Sequence, residues 1–300
     1  MLDQLIKQAE SNEIIVIPNG SYEINEPLMI NKPIKIVGDN CYIYTTKPIN
    51  IFEISGLNKV EILGLVIDAQ HKESVGIFYQ GINVDSASSC LQVANCTFKG
   101  FGTGIVLEHA RESRIYKNDF YVLGQGIRTY DAVNPVINNN LFVNWGEDTT
   151  GINIGGEPNS KFSCGARITN NTLIGLRNGI SVLGNDYVDI SHNMIDYCKF
   201  GIILASQDQA VVANNYIGAL KYGMFIEGTI TICQHIKILG NNIVTYTEGG
   251  EGRTGIKSIN YINGLIVKDN SISFYDKVPY EFADQPSNEV SIIKDNICMH

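Results

Sequence analysis

Residues 113–134, SRIYKNDFYVLGQGIRTYDAVN, decide the fold. An alternating apolar run leads to Asn118, and a hydrophobic residue follows two places on at Phe120. After a short break, Gly126-Ile127 opens a second alternating run. The unit recurs along most of the chain. Its Asn anchors fall at Asn118, Asn140, Asn171, Asn193, Asn215, Asn242, Asn270 and Asn296, at spacings of 22, 31, 22, 22, 27, 28 and 26. Its Gly anchors are Gly104, Gly126, Gly151, Gly179, Gly201, Gly223 and Gly255. A repeat just above twenty residues marks a solenoid.

Each unit holds two or three short runs with period-2 alternation, such as Ile127/Thr129 and Ile202/Leu204, too short for a helical period to compete. One coil of short strands cannot bury its inner face alone. Stacked coils can, each strand hydrogen-bonding to its counterpart about 4.8 Å away. The recurring Asn tolerates left-handed backbone angles and its amide bonds neighbouring peptide groups, so stacked copies form a ladder. Leu65 and Cys96 occupy the Asn position in the first two regular coils, which starts the ladder at Asn118. The expected fold is all-β, a right-handed single-stranded parallel β-helix with coils of about 22 residues and a short N-terminal capping helix.

The units reading I-x-x-N-x-[FIL] and then G-I resemble the right-handed β-helix superfamily of pectate lyases, polygalacturonases and phage tailspikes. The stretch 14–40, IIVIPNGSYEINEPLMINKPIKIVGDN, is similar to that superfamily's first coils. The resemblance covers almost the whole chain. It speaks for fold more than for activity, because function lives in sites grafted on the scaffold. It implies that the Gly-Ile strand is the first of each coil and that a groove lies on that strand's outer face.

Length alone admits two domains, but the unbroken period favours one across 1–300. A cap is expected at 1–12, irregular first coils at 13–58 and regular coils over 59–300. Leu2, Leu5, Ile6 and Ala9 share one helical face, suited to covering the open end of the coil. The chain stops mid-coil at His300, so either the natural chain continues or a partner covers that end.

The formal net charge is −9, with no Lys/Arg cluster longer than a pair, which argues against nucleic acid as a partner. Seven Cys show no C-x-x-C pair and no zinc spacing, and no calcium repeat occurs, so neither metal nor cofactor is expected. No signal peptide and no apolar run long enough to span a bilayer is visible, so no membrane partner is expected and the location stays open between a cytoplasm and a phage virion.

Departures from the 22-residue period point to the site. Extra residues precede the Gly-Ile strand at 68–80, 143–150 and 245–254 and follow it at 155–165 and 228–234. Loops flanking one face of a rigid scaffold make walls for a ligand. With Ile inward, the second and fourth residues after each Gly point out: Asn83/Asp85, Val106/Glu108, Arg128/Tyr130, Asn153/Gly155, Ser181/Leu183, Ile203/Ala205, Phe225/Glu227 and Lys257/Ile259. His109 and Asp131 follow at the loop edge, and Trp145, Glu147 and Asp148 lie in a wall. One patch is expected to gather these residues.

That patch has the residue types for two routes. Hydrolysis needs two carboxyl groups, about 5–5.5 Å apart for retention and 6.5–9.5 Å for inversion. Asp85 with Glu108, or Glu108 with Glu147 or Asp148, are the candidate pairs. A lyase needs a base and a neutraliser of the sugar carboxylate. Arg128 would neutralise, with Tyr130 or His109 transferring the proton, and Asp131 belongs to the same candidate catalytic set. Trp145, Asn153, Asn83 and His71 are candidate substrate contacts. The expected function is polysaccharide processing, glycoside hydrolase slightly ahead of lyase, in the manner of a tailspike depolymerase. The alternatives are a non-catalytic carbohydrate-binding or structural module, and a sugar epimerase. The superfamily's Asp-Asp pair of polygalacturonases and R-x-P-x-x-R of pectate lyases have no match here. The apolar outer residues Leu183, Ile203 and Phe225 suggest a homotrimer contact.

Overall fold

The structure is a computed structural model describing residues 2–56, 59–69, 71–81, 90–155, 164–184, 186–228, 233–249, 252–260, 262–274, 279–282 and 292–299. Helix Leu2–Gln8 leads into a solenoid of stacked parallel strands. Leu2, Ile6 and Ala9 close the end of the core, while Leu5 is 38% exposed and does not belong to the covering face.

Each regular coil contributes a strand to three sheets that run the length of the molecule. The first sheet stacks Val75–Gln80, Thr103–Glu108, Gln125–Tyr130, Thr150–Gly155 and Asn178–Leu183, then the later halves of Met194–Ala205 and Tyr216–Glu227, then Thr254–Ser258. The second stacks strands such as Arg114–Tyr116, Val136–Asn138 and Arg167–Thr169. The third stacks strands such as Asp119–Tyr121, Leu141–Val143 and Thr172–Ile174. Ile105, Ile127, Ile152, Ile180 and Ile202 line the core fully buried, and Phe98, Phe120 and Phe142 stack in it with ring centroids 4.8 and 4.7 Å apart.

The short turn between the second and third sheets carries the amide ladder. Asn140 Nδ2 donates to Ile115 O (2.9 Å) and to Asn171 Oδ1 (3.0 Å), and that same Oδ1 accepts the Asn140 backbone N–H (3.0 Å). The ladder begins where Cys96 N–H donates to Asn118 Oδ1 (2.9 Å). It differs from the expected order at one rung: Asn215 bonds Asn241, and Asn241 bonds Asn270, whereas Asn242 is exposed and opens the next strand. The reason lies in the turn. The left-handed residue is the one before each ladder Asn, as at Asn139 (φ 55°), Asn170 (φ 56°) and Asn214 (φ 55°). In Gly240-Asn241-Asn242 the glycine takes that conformation (φ 62°), so the first Asn becomes the rung.

A second difference concerns the first long segment. Residues 68–80 are mostly strand, because Val60–Ala69 and Val75–Gln80 flank a tight turn. Ile77 is in register with Ile105, which makes Gly76, not Gly81, that coil's anchor. The outward positions there belong to Phe78 and Gln80. Asn83 and Asp85 lie outside the described residues.

Candidate functional site

The outer face of the first sheet consists of columns one residue wide. The middle column reads Phe78, Val106, Arg128, Asn153, Ser181, Ile203, Phe225 and Lys257. Along the sheet's trailing edge runs Gln80, Glu108, Tyr130, Gly155, Leu183, Ala205 and Glu227. Adjacent members are about one strand spacing, 4.8 Å, apart. Polar and aromatic residues therefore collect over the coils of Glu108, Tyr130 and Asn153. Gly155 follows Tyr130 in that column and brings no side chain.

Immediately past that edge, His109 (φ 50°) and Asp131 (φ 48°) occupy equivalent left-handed positions on neighbouring coils. The backbone N–H of His109 donates to Tyr130 O at 2.9 Å, which fixes the corner. His109 Nδ1 lies 3.9 Å from Asp131 Oδ2, an ion-pair distance but too long for a hydrogen bond. That nitrogen is buried without a hydrogen-bond partner among the described residues. The imidazole meets the Tyr130 ring edge-on at 6.1 Å. Glu108, His109, Arg128, Tyr130, Asp131 and Asn153 thus share one neighbourhood. Asn153 Nδ2 donates to Gln125 Oε1 at 3.4 Å and steadies the face.

The other half of the expected patch lies elsewhere. Trp145, Glu147 and Asp148 precede strand Thr150–Gly155, whereas Tyr130 and Asp131 sit at its far end. Five residues of strand separate the two ends by about 16 Å. Pairs of Glu108 with Glu147 or Asp148 therefore exceed both hydrolase distances. The fixed length of a first-sheet strand, invisible in residue spacing, is what parts them. Asp148, 92% exposed, instead pairs with Arg177 Nη1 at 3.0 Å. His71 lies in the turn before Val75–Gln80, where its Nδ1 accepts the Glu73 backbone N–H (3.3 Å), three coils from Trp145.

At this leading edge the indole of Trp145 rests on Gly175, where an added Cβ would stand 2.7 Å from the ring. Tyr197 meets Trp145 at 6.3 Å and stacks on Tyr246 at 4.7 Å. Tyr246 O–H donates to Asp196 Oδ1, and burial followed by that bond raises its pKa. A cavity of about 390 Å³ is lined by Trp145, Glu147, Arg177, Tyr197 and Lys199 among others. Tyr197, Tyr246, Arg177 and Lys199 are absent from the sequence reading. Part of their signal is legible, since R-N-G-I (177–180), K-F-G-I (199–202), K-Y-G-M (221–224) and R-T-G-I (253–256) place a cation two residues before each of the last four anchor glycines.

A family model described as a right handed beta helix region matches residues 72–163, and a search of solved structures returns the same architecture over nearly the whole chain. The chain is a right-handed parallel β-helix. A second family model, described as periplasmic copper-binding protein (NosD), matches residues 159–248 of this β-helix. A tailspike protein of E. coli bacteriophage HK620 aligns with TM-score 0.71 at 11% identity, over 96% of this chain and 59% of its own. The DFA-IIIase of Arthrobacter chlorophenolicus without its lid gives 0.71 at 13%, over 95% and 87%. A mannuronan C-5 epimerase A-module of Azotobacter vinelandii gives 0.65 at 14%, over 96% and 87%. No curated protein matches the sequence.

Copper does not fit the side chains at hand. Copper sites gather imidazole, thiolate or thioether ligands, yet among the described residues no three His, Cys, Asp or Glu converge. The Cys96 and Cys198 thiols face the core, where burial pushes both up to about 12.

Proposed function

We propose that this β-helix processes a polysaccharide, with chemistry at the trailing edge of the first sheet around Tyr130. The observation that carries the reading is the grouping of Arg128, Tyr130 and His109 at that edge. These are the groups needed to remove a proton next to a sugar carboxylate. The Azotobacter neighbour, named for the epimerisation of mannuronan, supports a carbohydrate ligand.

In this reading Arg128 holds the carboxylate of an acidic sugar and offsets the charge that builds on it. Tyr130 or His109 takes the adjacent ring proton. In a lyase the freed electron pair forms a ring double bond and expels the glycosidic oxygen, which receives a proton from the second of the pair. In an epimerase the proton returns to the opposite face and no bond in the chain breaks. Asp131 Oδ2 lies 3.9 Å from His109 Nδ1 and is the carboxylate nearest that nitrogen in this reading. The separation of Glu108 from Glu147 and Asp148 shifts the balance away from hydrolysis. Glu108 with Asp131, on neighbouring coils, is the pair left for it.

The test is incubation with polymannuronate, polygalacturonate and hyaluronan, reading unsaturated ends, reducing ends and inverted C5 centres separately. Tyr130→Phe and Arg128→Ala are expected to lower turnover by about 10²–10⁴-fold. Reducing ends without unsaturation, lost in Glu108→Gln, would move the assignment to hydrolysis. No product of any kind from the wild type would overturn catalysis.

The homotrimer through Leu183, Ile203 and Phe225 is a separate proposal. Phe225 already packs on Tyr222 at 5.4 Å, and Lys257 Nζ caps Tyr222 at 5.4 Å, so the patch has intramolecular cover. Sedimentation of wild type against Phe225→Asp decides it, and a monomer in both would sink the trimer.

A further inference from the structure

The leading edge of the first sheet carries features that the trailing-edge chemistry does not use. Asn178, Phe200, Tyr222 and Thr254 are in ladder register on successive coils. The residues just before them, Arg177, Lys199, Lys221 and Arg253, bring four cations to this edge on successive coils of a chain of net charge −9, with a register shift between the coils of Lys199 and Lys221. The coils that carry them are stacked about 4.8 Å apart. Arg253 is 5% exposed and donates through Nη1 to Tyr246 O at 2.7 Å, so it anchors the end of the series. Lys221 Nζ lies 5.1 Å from the Tyr222 ring centroid. Lys199 is exposed and has no ion pair among the described residues.

Beside these cations runs the aromatic ledge. Trp145 is 70% exposed and Tyr197 39%. Their coils alternate with bare glycines, Gly175 under Trp145 and Gly218 against Tyr246. The glycines let broad rings lie flat where a Cβ would lift them off. Exposing an indole and a phenol side by side is unfavourable without a ligand face to cover them. Cations spaced one per coil, beside flat aromatic faces, suit a polymer with one negative charge per ring and alternating polar and apolar ring faces.

We propose that the ledge of Trp145 and Tyr197, with Arg177, Lys199 and Lys221, is a binding track for an acidic glycan lying along the solenoid axis. It takes from the preceding section only that the ligand is a polysaccharide, and it does not need Tyr130 to be catalytic. The Asp148–Arg177 pair is exposed, contributes little, and exchanges for a ligand carboxylate. Glu147 lines the same cavity and restricts where the sugar acid can sit.

Trp145 is the only Trp in the chain, so its fluorescence reports this site directly. Titration of the full chain with polymannuronate, polygalacturonate, neutral dextran and oligo-dT is the experiment. The expected result is a saturable Trp145 signal with at least one uronate polymer, weakening as salt rises, and none with dextran. Tyr197→Ala, and separately Lys199→Glu with Lys221→Glu, are expected to raise Kd by about tenfold or more. Tyr130→Phe should bind as the wild type does, which separates this track from the chemistry. Unaltered melting of the surface variants guards against misfolding. A silent Trp145 with every uronate polymer, affinity unchanged in the Lys199/Lys221 variant, or preference for oligo-dT would each overturn the proposal.

Discussion

Gly126 shows what one residue does here. Its Cβ, if present, would stand 2.5 Å from Phe142 Cδ1 and 2.6 Å from Gly151 O. The constraint is close packing against the next coil, not a left-handed backbone. Gly126→Ala is expected to cost about 1–3 kcal/mol in chemical denaturation, since neither a stacked ring nor a strand backbone yields cheaply. A second prediction concerns thiols. Cys41, at about 11, and Cys96 and Cys198, at about 12, are raised by burial, whereas Cys298 is exposed. Iodoacetamide at mildly alkaline pH should label Cys298 first and the three buried thiols only after denaturation, read by peptide mass. At this scale the anchoring glycines and inward isoleucines were legible, because a repeat states each packing requirement many times. Gly76 was not, because Gly81 also precedes an Ile and single-residue patterns do not show strand register.

The amide ladder belongs to the scale of the element. Removing a rung strands buried N–H groups of its neighbour, and each unsatisfied group costs about 1–3 kcal/mol. Asn241→Ala removes the Oδ1 that accepts from the Asn215 backbone N–H and Nδ2, and the Nδ2 that donates to Val212 O. It is expected to destabilise by about 2–4 kcal/mol. Asn242→Ala, at an exposed strand start, should stay within about 0.5 kcal/mol of wild type. Equal losses in the two variants, by urea denaturation, would contradict the ladder order. Sequence spacing could not choose between adjacent Asn residues. The choice follows from which residue adopts the left-handed corner, and Gly240 takes it.

Stacking coils also stacks charges along the whole molecule. Asp186 and Asp208 bridge one another on neighbouring coils, and burial and then the Asp208 charge raise the Asp186 pKa. A carboxyl raised above its unfolded value is penalised when ionised. The penalty is present at neutral pH and disappears as pH falls through the folded pKa. Asp186→Asn should therefore raise the melting temperature by about 1–3 °C at neutral pH. The gain should shrink on acidification, as thermal melts at the two pH values will read. The same stacking gathers Arg177, Lys199 and Lys221, each unremarkable in its own coil, along one edge.

The sequence by itself determined that this chain is a β-helix, where its coils repeat and which side chains face inward, because burial and turn geometry are local demands restated in every coil. Only the tertiary structure decided which outer residues meet. Neighbours across coils are set by register, and distance along a coil by strand length. That is why Trp145, Glu147 and Asp148 part from Tyr130 and His109, while Trp145, Tyr197 and Tyr246, up to a hundred residues apart, share one ledge.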